Sequence, residues 1–235
     1  DDTINVKIPA YRHDILHPYD IMEDLAIGYD FDNYEGVMPE DLTVGEGLKS
    51  KEVENAVADI LVGYGFQEVM NSILSNPEKE FVKMGFEKED DFAVVENPVS
   101  EEHTCLRVRL LPTLLNNLRK NRNKSLPQKL FEIGDVFKEG MQKTKTSGVM
   151  IHSEAGFTET KSIIEGLMKD IGLDFDVEVE EHPSFIDGRC ASIITDGTKI
   201  GLFGEVHPKV LNNFGLEYPT TAFEIDMDKV FDLKI

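Results

Sequence analysis

The stretch "RCASIITDGTKIGLFGEV", residues 189–206, predicts a β-hairpin and therefore an antiparallel sheet. Asp196-Gly197 is a strong signal for a two-residue turn, because such turns need a backbone conformation that aspartate and glycine tolerate. β-Branched and aromatic residues flank this turn, as expected for strands. Gly201 and Gly204 lie inside the second strand, where glycine indicates a bulge or close packing and not a phosphate-binding loop.

Outside the hairpin, the apolar residues predict helices and strands that do not alternate regularly. Helices are expected at Pro18–Gly28, Ser50–Gly65, Pro77–Met84, Pro112–Arg122, Thr160–Ile171 and from Pro208, with Ser50 as a helix cap. Strands are expected at Asn5–Ile8, 66–74, 92–98, 129–137, 148–152 and 221–226, with a polar loop near 138–146. Strands joined both by a hairpin and by helices favour an α+β fold with a mainly antiparallel sheet flanked by helices.

The stretch "DNYEGVMPEDLTVGEG", residues 32–47, is rich in glycine, proline and acids and has no apolar period. This composition is typical of a linker. We therefore predict a small helical piece at 1–31, a linker at 32–47 and a main domain at 48–235.

The composition is strongly acidic, because 45 Asp and Glu oppose 24 Lys and Arg and give a formal charge of -21. Such a surface repels phosphate, so any contact with RNA must be local. No apolar run is long enough to span a bilayer, and the first residues do not resemble a secretion signal. Cys105 and Cys190 lack CxxC spacing, so we expect two unpaired packing thiols and a cytoplasmic protein.

Four acids, Asp14, Asp20, Glu23 and Asp24, surround the expected start of the first helix. On that helix, the last three share one face at positions i, i+3 and i+4. Acids in a first turn favour the helix dipole and stay solvated, which is one interpretation. Crowded carboxylates also repel one another, and magnesium would relieve that repulsion with oxygen ligands, Asp14 folding back as the fourth.

The sequence has one basic cluster, which begins at Arg107 and ends at Lys124. It includes four further cations: Arg109, Arg119, Lys120 and Arg122. The cluster could contact RNA or an acidic partner, but a solvated helix face is the simpler interpretation.

Several segments together resemble one family: "IPAYRHDILHPYDIMEDLAIGYDF", "GFQEVMNSIL", "NPVSEEHTCLRVRLLPTLLNNLRKN", "KLFEIGDVF", "HPSFIDGRCASI", "GLFGEVHPKVLNNFGLEYP" and "AFEIDMD". In this order they are similar to the C-terminal half of the phenylalanyl-tRNA synthetase beta subunit of the archaeal and eukaryotic type. The resemblance implies a class II synthetase-like domain at 48–235, preceded at 1–31 by the end of a small helical module. It also implies that Asp14, Asp20, Glu23 and Asp24 form a Mg²⁺ site shared with the alpha subunit, with Asp24 in place of the usual glutamate.

The arginines that hold ATP in catalytic class II domains are absent from the corresponding positions. Lys138 follows Phe137 where those domains carry an arginine, and lysine lacks the planar fork that binds a phosphate bidentately. The segment "TAFEIDMDKV" has no glycine-rich junction that ends in arginine. We therefore expect no catalytic residues in this chain.

The resemblance implies a non-catalytic part of a phenylalanine–tRNA ligase that packs against the catalytic alpha subunit in an α2β2 complex. Only the whole complex would bind tRNA. The apolar helix face formed by Val53, Val57, Ile60 and Leu61 is expected to be core or subunit interface. The alternatives are a free-standing class II-like ligase and a solitary paralogue that serves as a regulatory binding module.

Overall fold

The computed structural model describes residues 3–40, 43–86 and 92–234, and the chain divides into two compact units. The first unit is Asp1–Glu46 and the second is Gly47–Ile235. The predicted linker at 32–47 includes residues 41–42, which lie outside the described residues.

The first unit contains helix α1, Pro18–Tyr29, followed by a short 3-10 helix, Phe31–Asn33. Its described residues include no buried side chain, so α1 has no hydrophobic core of its own to pack against. The predicted strand at Asn5–Ile8 is wrong, because these residues have no regular structure. Among the described residues they have no strand to pair with, and a lone strand leaves its backbone groups without partners.

The second unit contains nearly all of the regular structure. Its helices are α2 (Lys49–Gly63), α3 (Leu111–Lys120), α4 (Phe157–Asp170), α5 (Pro208–Phe214) and α6 (Met227–Lys234). A single π-helical turn spans Glu78–Val82. Its strands are β1 (Gln67–Glu68), β2 (Leu74–Ser75), β3 (Cys105–Leu106), β4 (Gln128–Lys138), β5 (Met141–Ile151), β6 (Asp176–Val179), β7 (Phe185–Thr195), β8 (Thr198–Val206) and β9 (Thr220–Asp226).

Seven of these strands form one sheet in the order β1-β4-β5-β9-β8-β7-β6. Only the β1–β4 pair is parallel, and the other neighbours are antiparallel. Strands β2 and β3 form a separate two-stranded antiparallel sheet. The predicted α+β fold with a mainly antiparallel sheet flanked by helices is confirmed. None of the described helices is both long enough and apolar enough to cross a membrane.

Consecutive residues of the central strands enter two different hydrophobic clusters. Phe131 and Phe223 pack with α2, α4 and α6, whereas Leu130 and Ala222 pack with α3 and α5. Because successive side chains of a strand point to opposite faces, the two clusters lie on the two faces of the sheet. We refer to the face covered by α3 and α5 as the α3 face.

Several predicted boundaries are wrong, each for a local reason. Helix α2 begins at Lys49, and the preceding extended residue is Leu48, so Ser50 lies inside the helix and does not cap it. The predicted strand 66–74 is broken after Glu68, because Glu132 binds the backbone and side chain of Asn71.

Three other stretches also differ from the prediction. At 92–98, only Val94 forms a single bridge. The predicted polar loop at 138–146 mostly belongs to β5, whose polar residues lie at the exposed end of the long β4–β5 hairpin. Strand β6 and helix α6, which buries Met227 and Val230, were not predicted.

The predicted hairpin is confirmed, with Asp196 and Gly197 both at positive φ between β7 and β8. Strand β8 lies so close to β7 that a Cβ at Gly204 would fall on the Arg189 carbonyl oxygen and 2.9 Å from Cys190 Cα. Both atoms belong to the β7 backbone, which cannot move aside as a flexible side chain can. The interpretation of this glycine as a close-packing residue is therefore correct.

We predict that Gly204→Ala lowers the free energy of unfolding by about 1–3 kcal/mol, because the added methyl group forces β7 and β8 apart. Gly63→Ala is the matched control, since a Cβ at this last residue of α2 meets nothing within 4 Å. It should be neutral or slightly stabilising. Chemical denaturation of both variants measures the difference, and equal stabilities would contradict the close-packing account.

Candidate functional site

The first candidate site is the start of α1, where His17 is the N-cap and Asp20 completes a capping box. Pro18 occupies the first turn, where its missing N–H is not needed. The Asp20 carboxylate accepts hydrogen bonds from the backbone N–H groups of Leu16 and His17, both at 2.7 Å. These two bonds, with His17 first, lower the pKa of Asp20 below its usual value. The Asp20 carboxylate is therefore already bound by the backbone of the residues that precede α1.

Asp14 and Asp24 are brought together by an arginine that the sequence analysis did not consider. Arg12 donates to Asp14 from Nε at 2.9 Å and from Nη2 at 2.7 Å, and the same Nη2 donates to Asp24 at 2.8 Å. The hydrogen bond from Arg12 is the main reason that the pKa of Asp14 is lowered. Arg12 thus bridges Asp14 and Asp24, and its guanidinium neutralises the two carboxylates.

Glu23 is exposed and forms no hydrogen bond or ion pair with the described residues. In the part of the chain that the structure describes, no group of three or more His, Cys, Asp or Glu side chains is arranged to hold a metal ion. As arranged here, the four acids therefore do not fit a metal site by themselves. A signal for this arrangement was present in the sequence, because Arg12 lies two residues before Asp14.

The second candidate site is the α3 face of the sheet, where a buried ion pair joins Arg107 to Glu132. Arg107 Nη1 donates to Glu132 Oε1 at 2.7 Å, and its Nε donates to the Asp135 carbonyl oxygen at 2.8 Å. Glu132 also accepts from the backbone N–H of Asn71 at 3.1 Å and from Asn71 Nδ2 at 2.7 Å. Asn117 on α3 donates to Asn71 Oδ1 at 2.9 Å, so the network extends to the helix.

A second carboxylate on this face, Glu224 of β9, fixes the start of α3. Its Oε2 accepts from the backbone N–H groups of Leu110 and Leu111, at 3.0 and 3.2 Å, and its Oε1 accepts from Lys145 at 2.7 Å. Burial raises the pKa of Glu224, but Lys145 and the other donors outweigh it, so the net shift is downward. The negative charge at this helix N-terminus also matches the helix dipole.

Glu80, which is fully buried on the π-helical turn, is the least satisfied acid on this side of the domain. Its Oε2 accepts from the backbone N–H of Val108 at 3.2 Å, whereas Oε1 has no hydrogen-bond partner among the described residues. Burial raises the pKa of Glu80 to about 7. Ser75 and Arg109 oppose that rise, although the Ser75 hydroxyl is not in hydrogen-bonding geometry.

The charged groups of the α3 face therefore bind one another and the start of α3, and do not line an open cleft. The β4–β5 hairpin ends in a tight turn at Glu139 and Gly140, directly after Lys138.

The predicted basic cluster is divided between two environments. Arg107 is buried, contrary to the interpretation of a solvated face, whereas Arg119 and Lys120 at the end of α3 are exposed.

Comparison with known proteins identifies two matching family models. Residues 35–227 match the model described as the phenylalanyl tRNA synthetase beta chain CLM domain, and residues 1–31 match the tRNA synthetase B5 domain. These matches cover nearly the whole chain.

Curated relatives agree with the family models. The chain is 44% identical over 239 residues to a phenylalanine–tRNA ligase beta subunit of Methanococcus maripaludis, covering 97% of this chain and 43% of that protein. It is 41% identical over 228 residues to the Methanosarcina barkeri protein of the same name, covering 97% of this chain and 42% of the relative. The Methanocaldococcus jannaschii protein of that name is 43% identical over 235 residues, with coverages of 97% and 43%. The chain thus spans less than half the length of these relatives.

We predict that Glu80 makes the folded state less stable as the pH rises. Because the pKa of Glu80 is raised in the folded state, the folded protein holds this proton more tightly than the unfolded chain does. The stability that protonated Glu80 contributes is lost as the pH rises from about 4.5 to about 7. Glu80→Gln removes the titration, so the variant should gain stability relative to the wild type across this interval, by up to about 3 kcal/mol.

The measurement is urea denaturation of both proteins at several pH values between about 4.5 and 8. Glu178→Gln, at an exposed position of β6, controls for the loss of one acid. A difference between Glu80→Gln and wild type that stays constant over the whole pH range would refute the assignment.

Proposed function

The chain belongs to the family of phenylalanyl-tRNA synthetase beta chains, and on this premise we propose that it is the non-catalytic part of a phenylalanine–tRNA ligase beta subunit. In this role it supports the ATP-dependent attachment of phenylalanine to tRNA, which takes place on a separate alpha subunit. The observation that carries the proposal is the α3 face, whose charged groups are used for internal contacts.

The contacts of Arg107 support the absence of adenylate chemistry. Binding a triphosphate requires cationic donors that point into an open cleft. Arg107 instead donates to Glu132 and to the Asp135 carbonyl oxygen, and its side chain is 4% exposed. Lys138, at the position that carries an arginine in catalytic relatives of the fold, brings one charge without the bidentate fork.

Exposed apolar side chains support packing against the alpha subunit. Met70 is 95% exposed and Val94 is 67% exposed, and Ile73 and Leu74 are also partly open to solvent. By contrast, the apolar face of α2 is mostly core, since Val57 and Leu61 are buried and Val53 and Ile60 pack against them. We therefore assign the alpha-subunit contact to the segment 70–74 and its surroundings, in an α2β2 complex.

We retain magnesium as a proposal for the assembled protein only. Glu23 is unpaired within the described chain, and the Asp14 and Asp24 side chains are 60% and 46% exposed, so a partner could add ligands to them. Asp20 would hold the helix start in place, as it does here. When bound, magnesium would supply positive charge to this surface, and Arg12 supplies that charge in the isolated chain.

We propose a cytoplasmic setting as well. Both cysteines are free and buried, as predicted, which is compatible with a reducing compartment.

We predict that Lys138→Ala, in a full-length beta subunit assembled with its alpha subunit, changes phenylalanine-dependent pyrophosphate exchange by no more than roughly twofold. Loss of a group that stabilises the reacting phosphate would cost about 10²–10³-fold. Lys143→Ala on the same hairpin is the control for loss of charge. A large loss for Lys138→Ala alone, or exchange by the isolated chain that survives further purification, would show that this chain is catalytic.

We predict that Glu23→Gln weakens magnesium-dependent association of the beta and alpha subunits by at least about tenfold, because the shared ion loses a ligand. Association of both proteins is measured with and without magnesium, and thermal melts of the isolated beta subunit should stay equal. Glu35→Gln, an exposed substitution outside α1, is the control. Association that is insensitive to magnesium in the wild type would rule out the shared ion.

A further inference from the structure

A concave surface with a volume of about 860 Å³, which we call the basic basin, lies between the π-helical turn and the end of α3. Five cations line it: Lys79 from the turn, Lys83 directly after the turn, and Arg119, Lys120 and Arg122 from the end of α3 and the residues that follow. The sequence analysis identified the last three but not the two lysines, because the tertiary structure brings them to the same cavity.

The charge of the basin is opposite to that of the chain. Among the lining residues, the five cations face three acids, whereas the whole sequence has 24 cations and 45 acids. Two of the acids are already paired, Glu102 with Lys79 at 3.0 Å and Glu78 with Lys83 at 3.5 Å.

Three of the basin cations are available to a ligand. Arg119, Lys120 and Arg122 are exposed and form no ion pair with the described residues. The dipole of α3 accounts for cations in its last turn, which are Arg119 and Lys120. It does not account for Arg122 beyond the helix, nor for two lysines of a separate element in the same cavity.

The uncharged lining of the basin indicates the class of ligand. Four of these residues, Asn76, Thr104, Asn116 and Asn123, carry amide or hydroxyl groups, and among the described lining residues only Pro77 is apolar. The core of a protein–protein interface is apolar and aromatic. Arginine, lysine, asparagine and threonine are instead the side chains that contact phosphate and sugar in nucleic acids.

We propose that the basic basin binds the phosphodiester backbone of the tRNA that the assembled ligase charges. This inference rests on the proposed function and adds a site on this chain. Arg119, Lys120 and Arg122 donate to phosphate oxygens, and the neighbouring amides and hydroxyl contact ribose. Because only the backbone is contacted, the basin positions the RNA and does not read its sequence.

The test uses the full-length beta subunit with the substitutions Arg119→Gln and Arg122→Gln, assembled with the alpha subunit. The dissociation constant for tRNA is measured at several salt concentrations between about 50 and 200 mM. The matched control, Lys161→Gln with Lys169→Gln, removes the same charge from α4 on the opposite face of the sheet. Lys120→Gln is a milder third variant in case the double variant assembles poorly.

Each lost phosphate contact should reduce the slope of log affinity against log salt by about one. The affinity of the wild type should therefore fall roughly tenfold more than that of the double variant over this salt range. Lys120→Gln should show about half the change in slope. The control should behave like the wild type, and association with the alpha subunit should be unchanged in all variants.

Three results would overturn the proposal: an unchanged slope in the basin variants, an equal change in the control, or a loss of alpha-subunit association in the basin variants. The last would mean that the basin holds an acidic protein surface. A wild-type complex that neither binds nor charges tRNA would overturn the proposed function together with this site. A wild-type complex that charges tRNA, with basin variants that bind tRNA as tightly at every salt concentration, would overturn the basin alone.

Discussion

The buried ion pair between Arg107 and Glu132 holds together the segments that cover the α3 face of the sheet. Two charges are costly to remove from water, and this cost is offset only when all their donors and acceptors find partners. Here the Arg107 backbone also bonds to Ile73 and Phe137, at 2.8 and 2.9 Å, while its side chain reaches Glu132 and Asp135. These bonds fix the position of strand β4 relative to the segments before α3. The same pair leaves no space at Gly134, where a Cβ would lie 2.6 Å from Arg107 Nη2.

This network also determines how α3 lies on the sheet. Glu224 holds the first N–H groups of α3, and the helix then covers the sheet with Leu114, Leu115 and Leu118. The cations of α3 itself, Arg119 and Lys120, are exposed at the far end of the helix, in the basic basin. One helix thus closes the α3 face at its start and presents positive charge at its end.

Acids have different effects in the two units because their exposure differs. Around α1 the carboxylates are solvated, and Arg12 holds two of them in a surface contact that water and salt weaken. On the α3 face the carboxylates are desolvated, so each one requires a specific donor, and Glu80, with one oxygen unpartnered, has a raised pKa. The net charge of the chain describes neither environment, because it counts both kinds of acid alike.

Local patterns in the sequence determined the fold class, the Asp196-Gly197 hairpin, the helix at Pro18 and the family. These features depend on turn chemistry, on periodicity or on residue identity, and all three are visible without coordinates. The tertiary structure alone decided which charges meet. Arg107 belongs to a basic run in the sequence but is buried against Glu132. Lys79 and Arg119, about forty residues apart in the sequence, line the same cavity. The strand predicted at 66–74 is broken for the same reason, since Glu132 takes the Asn71 N–H. The sequence could not predict these pairings, because the free energy of a buried charge depends on its distance from partners that only folding brings near.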